Sequence, residues 1–113
     1  MVTEKVAVVI PALNEEAAIQ QLLAELPRDF AQWIIVVDNG STDATAPIAH
    51  RAGAIVASEP VRGYGRACLK GFKTASNLGA EIVVFLLGVF LTYKGYSHKE
   101  ETEPARSPRR AMA

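Results

Sequence analysis

The stretch "KVAVVIPALNEE", Lys5–Glu16, decides how this chain is read. From Val6 to Ile10 it is an unbroken apolar and mostly β-branched run, with no polar residue interleaved. A strand with one wet face alternates apolar with polar positions, whereas a continuous run of this kind is buried on both faces, as in parallel sheets. Pro11 cannot donate to a ladder and is expected to end the strand. Beyond it Asn14 is placed to cap a helix, with Glu15 and Glu16 in a first turn where the helix dipole favours negative charge. Ile19, Leu22, Leu23 and Leu26 then form one apolar stripe, and Pro27 stops the helix.

The same alternation repeats along the chain. "WIIVVD", Trp33–Asp38, is a second buried strand, and "NGSTD" supplies turn residues and helix caps. "ATAPIAHRAG" reads as a helix that carries Pro47 near its start and closes at Gly53. "AIVAS" is a third strand. A glycine-rich lead-in from Gly63 opens a helix to Ala75, whose Ala67, Gly71, Phe72 and Ala75 can face a sheet, and "AEIVVFL" is a fourth strand. Strands alternating with helices bury their apolar faces as a layered α/β fold with about four parallel strands flanked by helices.

The totals agree with one ordinary domain. The chain has 113 residues, 50% of them hydrophobic and 21% charged, and its twelve basic and twelve acidic residues cancel. No overall field points to nucleic acid or anionic lipid. The single cysteine, Cys68, has no partner for a disulfide or a metal site and reads as a small buried hydrophobe in a reducing compartment. No signal-peptide pattern precedes the first carboxylates, so the expected location is cytoplasmic. The run from Ile82 to Leu91 is ten residues long, about half of what a membrane-spanning helix needs. After Lys94 the charge rises and the hydrophobic period vanishes. Residues 1–93 are therefore expected to form the domain and residues 94–113 a polar, disordered tail in which Arg106, Arg109 and Arg110 are solvated.

In open α/β sheets ligands bind outside the carboxyl ends of the strands, which directs attention to "PALNEE", "DNGSTD", "EPVRGYGRA" and "LLGVF". The first of these turns holds no glycine, so the Rossmann dinucleotide fingerprint is absent, and no Walker A motif occurs. The first strand does not end in an aspartate, which disfavours a receiver-type phosphoacceptor. Gly63, Gly65 and Gly71 follow the third strand instead, at a wider spacing.

Taken in order and spacing, "VVIPALNEE", "IIVVDNGSTDAT", "RGYGRACLKGF" and "GAEIVVFL" resemble the N-terminal nucleotide-binding half of family 2 glycosyltransferases of the GT-A fold. The likeness runs from about Val6 to Leu86 and is nearest to members acting on polyprenyl phosphates or building surface polysaccharide. It implies a Rossmann-like GT-A half-domain that binds a UDP- or GDP-linked sugar and an inverting transfer to an acceptor. Asp38 would accept hydrogen bonds from the base, although a plain turn aspartate beside Asn39 and Gly40 is a competing reading. Pro11, Ala12 and Leu13 would line base and ribose. Glu15 or Glu16 would reach the ribose or the phosphates, or else only compensate the helix dipole. Asp43 is a cap or a site residue. Gly63, Gly65 and Arg66 fit a loop that lets backbone approach a diphosphate at a helix N-terminus, and Arg62 or Lys70 would add charge or merely cover surface.

The resemblance also implies an Asp-x-Asp motif at the end of the fourth strand that holds Mg²⁺ or Mn²⁺. The matching positions here are Leu87, Gly88 and Val89, which carry no metal-binding lone pair. The expectation is that this chain does not bind the metal and is inactive as it stands, a truncated or frame-disrupted product whose pattern is lost at Leu87. Two other readings stay open. One is a non-catalytic nucleotide-binding or assembly module that meets a protein partner through its exposed fourth strand. The other is a membrane-surface protein anchored by Phe90, Leu91, Tyr93 and Lys94.

Overall fold

The structure is a computed structural model and describes residues 4–27 and 29–86. The expectations for Leu87–Val89, for the apolar residues 90–93 and for the tail fall outside these residues. Seven elements alternate as expected: β1 Val6–Ala12, α1 Glu16–Glu25, β2 Trp33–Asp38, α2 Thr45–Arg51, β3 Ile55–Ser58, α3 Tyr64–Leu78 and β4 Ile82–Phe85. All strand pairs are parallel, and the order across the sheet is β3-β2-β1-β4.

The continuous apolar runs do what their lack of alternation requires. Val8, Ile10, Ala12 and Val36 face one side and pack with Ile19, Leu22 and Leu23 of α1 and Ala49 of α2. Ala7, Val9, Ile35 and Val37 face the other and pack with Ala67 and Ala75 of α3. Successive strand residues point to opposite faces, so one run serves two cores. Each fully buried Val or Ile stabilises the fold by about 1.5–3 kcal/mol through removal from water.

α3 lies close against the sheet because the residues it turns inward are small. Ala67, Gly71 and Ala75 recur every fourth position on one face, and a Cβ on Gly71 would stand 2.2 Å from Val9 Cγ1 and 3.1 Å from Val37 Cγ2. Phe72, expected to face the sheet, is instead 50% exposed. With Gly71 as the closest point of the helix to the sheet, the next residue is carried about 100° around the axis, toward solvent.

Two further expectations are corrected. Pro11 does not end β1, which continues to Ala12 with Pro11 opposite Val37. The ladder to β4 stops at Val9↔Phe85, with a last bond from the Leu86 amide to the Val9 carbonyl. Pro11 stands just past that point, so its missing N–H costs the described ladder no bond. Asn14 is not the cap of α1. The helix begins at Glu16 with Glu15 before it, and Asn14 sits at φ +54° in the left-handed region that asparagine tolerates. Gly53 does close α2, at φ +97°, with the Ala54 amide reaching back to the Ala49 carbonyl.

Replacing Gly71 by Ala is expected to lower the unfolding free energy by about 1–2 kcal/mol in urea titrations, because overpacking against two β-branched neighbours outweighs the gain in helix propensity. Gly65→Ala, whose Cβ meets nothing within 4 Å, is expected to be neutral or to stabilise by about 0.5 kcal/mol.

Candidate functional site

The strand order reverses at β1: the chain winds outward through β2 and β3, then returns through α3 to lay β4 on the other side. The loops leaving β1 and β4 therefore diverge, and a crevice opens at the carboxyl edge. A cavity of about 550 Å³ occupies it. Its walls divide by origin. The end of β1 contributes Pro11, Ala12 and Leu13, followed by Glu15; the loop before α3 contributes Arg62, Gly63 and Tyr64. Ala18, Ile19 and Leu22 of α1, Ala67 of α3 and Leu86 make the apolar floor, and Asn39 at the end of β2 stands between the two walls.

Six of the residues singled out from the sequence for a site thus meet at one cavity: Pro11, Ala12, Leu13, Glu15, Arg62 and Gly63. Asp38, Gly65 and Arg66 do not line it. Asp38 closes β2, and its Oδ1 accepts the Ser41 amide at 3.1 Å while its carbonyl accepts the Glu59 amide. Gly65 lies in the first turn of α3 facing open space. Arg66 is exposed, and its aliphatic carbons lie beside Gly63.

Asn39, read from the sequence only as part of a turn, is the residue that sequence reasoning missed. It is 6% exposed. Its Nδ2 donates to the carbonyls of Glu59 at 2.8 Å and Val61 at 2.9 Å, and its Oδ1 accepts the Gly63 amide at 3.1 Å. Its own amide donates to the Ala12 carbonyl at 2.9 Å.

The cavity carries charge and polarity at its rim. Arg62 Nη2 makes a long contact of 3.4 Å to the Gly40 carbonyl, which keeps the guanidinium near the β2 loop. Gly63 adopts φ +147°, a conformation side chains disfavour, as it leads into α3. Partial burial, with the Cys68 thiol adding to it, pushes the Tyr64 hydroxyl above its ordinary range. Tyr64 is therefore a neutral hydroxyl at physiological pH.

Beneath the cavity the N-termini of α1 and α2 hold one another. The Glu16 amide donates to Asp43 Oδ2 at 3.2 Å, and the Ala44 amide donates to Glu16 Oε1 at 2.8 Å. The Glu15 amide donates to Thr45 Oγ1 at 2.8 Å, while the Thr45 amide and hydroxyl both donate to Asp43 Oδ1. Asn14 joins the same network, giving its amide to Ser41 Oγ and accepting the Thr42 amide. Glu16 and Asp43 each accept an orphan amide at the start of the opposite helix, Asp43 also accepts the Thr45 amide of its own, and Asp43 is not part of the cavity wall.

Among the described residues no group of three or more His, Cys, Asp or Glu is arranged to hold a metal ion. Nor is any described helix long and apolar enough to cross a membrane.

The fold and cavity define an open parallel α/β domain with a crevice at its topological switch point. Residues 7–86 match the sequence profile of Glycosyl transferase family 2, and the chain belongs to that family. An uncharacterized glycosyltransferase of Mycobacterium tuberculosis is 45% identical over 76 residues, covering 67% of this chain and 34% of that protein. Protein RfbJ of Shigella flexneri is 37% identical over 84 residues, covering 74% of this chain and 63% of the relative. The crystal structure of glucosyl-3-phosphoglycerate synthase from Mycobacterium tuberculosis, in complex with Mn²⁺, UDP and glucosyl-3-phosphoglycerate, superposes with a TM-score of 0.60 at 36% identity. It covers 74% of this chain and 33% of that one. The same synthase has been crystallised with Mg²⁺ and UDP. The chain thus spans about a third of the length of several of the relatives it matches, and its four parallel strands and three helices form a Rossmann-like GT-A half-domain.

Desolvation alone would raise the Asp43 carboxyl, but hydrogen bonds from the Thr45 hydroxyl and amide and the Glu16 amide outweigh it and hold it below the usual range. A folded-state value below the unfolded one stabilises the protein at pH values above about 4, and this stability is lost as pH falls through the folded value. Melting temperature measured against pH should therefore fall on the acid side. Asp43→Asn should melt lower at neutral pH, with the gap to the parent chain narrowing as pH drops below about 4.

Proposed function

We propose that the cavity at the β1–β4 switch holds the nucleotide of a UDP- or GDP-linked sugar, as the donor site of a family that transfers such sugars to acceptors. The observation that carries this reading is the convergence of an apolar wall, Pro11–Leu13, and a basic, glycine-containing wall, Arg62–Tyr64, on one crevice. Flat apolar surface suits a base and ribose. Arg62 and the N-terminus of α3 offer positive charge to a diphosphate. Asp38 immediately precedes Asn39 at the carboxyl end of β2, and its carboxylate is the acceptor assigned here to a base N–H. Gly65 and Arg66 then act at the diphosphate end, where Gly65 leaves room for it. The solved relative that binds UDP supports the same assignment.

The acceptor class that fits the resemblance is a polyprenyl phosphate or growing glycan. In this family a divalent cation, when bound, offsets charge on the leaving diphosphate. The described residues offer no donor set for one, and Leu87, Gly88 and Val89 stand where the family's carboxylates are expected. The chain accordingly holds nucleotide without help from the cation and does not complete transfer by itself. Its free, half-buried Cys68 suits a reducing, cytoplasmic setting, where the chain works in solution or at the membrane surface. One observation favours a second role. Among the described residues β4 pairs on one side only, leaving an edge that a partner strand could extend.

Calorimetric titration with UDP and GDP, with and without Mn²⁺, tests the reading. One of the two nucleotides should bind, Mn²⁺ should change the affinity by less than about twofold, and Asp38→Ala should weaken binding about tenfold, the loss expected of a hydrogen bond to a charged group. Absence of binding by either nucleotide contradicts the site. Strong enhancement by Mn²⁺ contradicts the metal-independent part.

A further inference from the structure

We infer that Asn39 is a positioning residue that clamps the 59–63 loop in the shape the cavity requires, and that only a carboxamide can serve there. Its relevance to ligand rests on the nucleotide site proposed above. Three strand ends meet at this residue. Its backbone amide is fixed to the Ala12 carbonyl at the end of β1, and its Cα closes the turn out of β2. Its side chain spends two donors and one acceptor on the loop that follows β3, at Glu59, Val61 and Gly63.

The accounting is specific. An asparagine amide has two N–H donors and a carbonyl acceptor, and this loop presents two carbonyls and one amide to it. Aspartate, of the same shape, supplies acceptors only when ionised, so the Glu59 and Val61 carbonyls would face a negative charge. Alanine leaves all three groups unmatched in a spot that is 6% exposed. Buried groups left unpaired cost more than the bonds gained when they are met.

The clamp sets the geometry of the cavity because the residues it holds are the wall itself. Arg62 lies between two clamped residues and Gly63 is one of them. The Gly63 carbonyl in turn accepts the Ala67 amide and starts α3, so the direction of the helix N-terminus follows from the same contact. The other bonds at this corner do not reach β1: the Glu59 carboxylate accepts the Val61 amide at 3.1 Å within the loop, and the contact of Arg62 to the Gly40 carbonyl is long. Asn39 is therefore the residue whose backbone amide holds the end of the β1 wall while its side chain holds the loop that forms the α3 wall.

The test compares Asn39→Asp and Asn39→Ala with Leu26→Ala, a core substitution at the C-terminal end of α1 that destabilises the fold away from the cavity. Trypsin cleavage after Arg62 under native conditions should rise about tenfold in both Asn39 variants relative to Leu26→Ala, since loss of paired buried groups opens the loop locally. The Gly63 amide should exchange more slowly in Asn39→Asp, which retains the acceptor, than in Asn39→Ala. UDP affinity should fall about fivefold or more in both. Cleavage at Arg62 no faster than in Leu26→Ala, or identical Gly63 exchange in the two Asn39 variants, would overturn the clamp. Cleavage and exchange need no ligand, so a parent chain that binds no UDP would sink the nucleotide reading while these two readouts still decide the role of Asn39.

Discussion

β1 has no free side. Both its faces are buried, with Ala7, Val8 and Val9 fully enclosed, and both its edges are paired, to β2 and to β4. That constraint organises the rest of the molecule. Two faces need two layers of helix, supplied by α1 and α2 on one side and α3 on the other. Two edges need the chain to wind outward and then cross back, and that crossing is what opens a crevice at the carboxyl end of β1. The close seating of α3 over Val9, possible because position 71 lacks a Cβ, fixes the second layer near enough to frame the crevice from above.

Around the crevice the fold uses polar groups in two ways. Below it, Glu16 and Asp43 cap each other's helices, with the fully buried Thr45 at the centre. These acids are committed to holding α1 against α2, which explains an acidic cluster near a site without giving it a ligand. Beside it, Asn39 gives its backbone amide to the end of β1 and commits both side-chain donors and its side-chain oxygen to the loop after β3. Packing thus sets where the cavity lies, and hydrogen bonding sets its shape. The groups left for recognition are few: apolar walls from β1, and the charge of Arg62 with the hydroxyl of Tyr64 across from them.

Much of this was legible in the sequence, for definable reasons. Unbroken runs such as Val6–Ile10 and Trp33–Val37 can be satisfied only by burial on both faces, so four parallel strands followed directly. What was not legible depended on contacts far apart in sequence. Pro11 reads as a terminator because its place beyond the described ladder to β4, which ends at Val9↔Phe85, is invisible from the strand itself. Asn14 was read as a cap, yet its side chain serves Thr42, 28 residues on. Phe72 was turned inward on helical spacing, whereas the glycine beside it sets the rotation of α3. Among the site residues, Pro11, Ala12, Leu13, Glu15, Arg62 and Gly63 meet at the cavity, while attention to Asp38 overlooked Asn39. The dipeptide Asn39–Gly40 has the composition of a simple turn, and nothing local reveals that its amide is buried against the loop after β3.

The claim on which the functional account stands is that ligand enters between the β1 and α3 walls. Amide chemical-shift mapping of the isotope-labelled chain during UDP addition tests it most directly. The account predicts saturable shifts at Ala12, Leu13, Asn39, Gly63 and Tyr64, on both sides of the 550 Å³ cavity. Shifts confined to the outer face of α3 around Leu69 and Phe72, or none at saturating nucleotide, would contradict it.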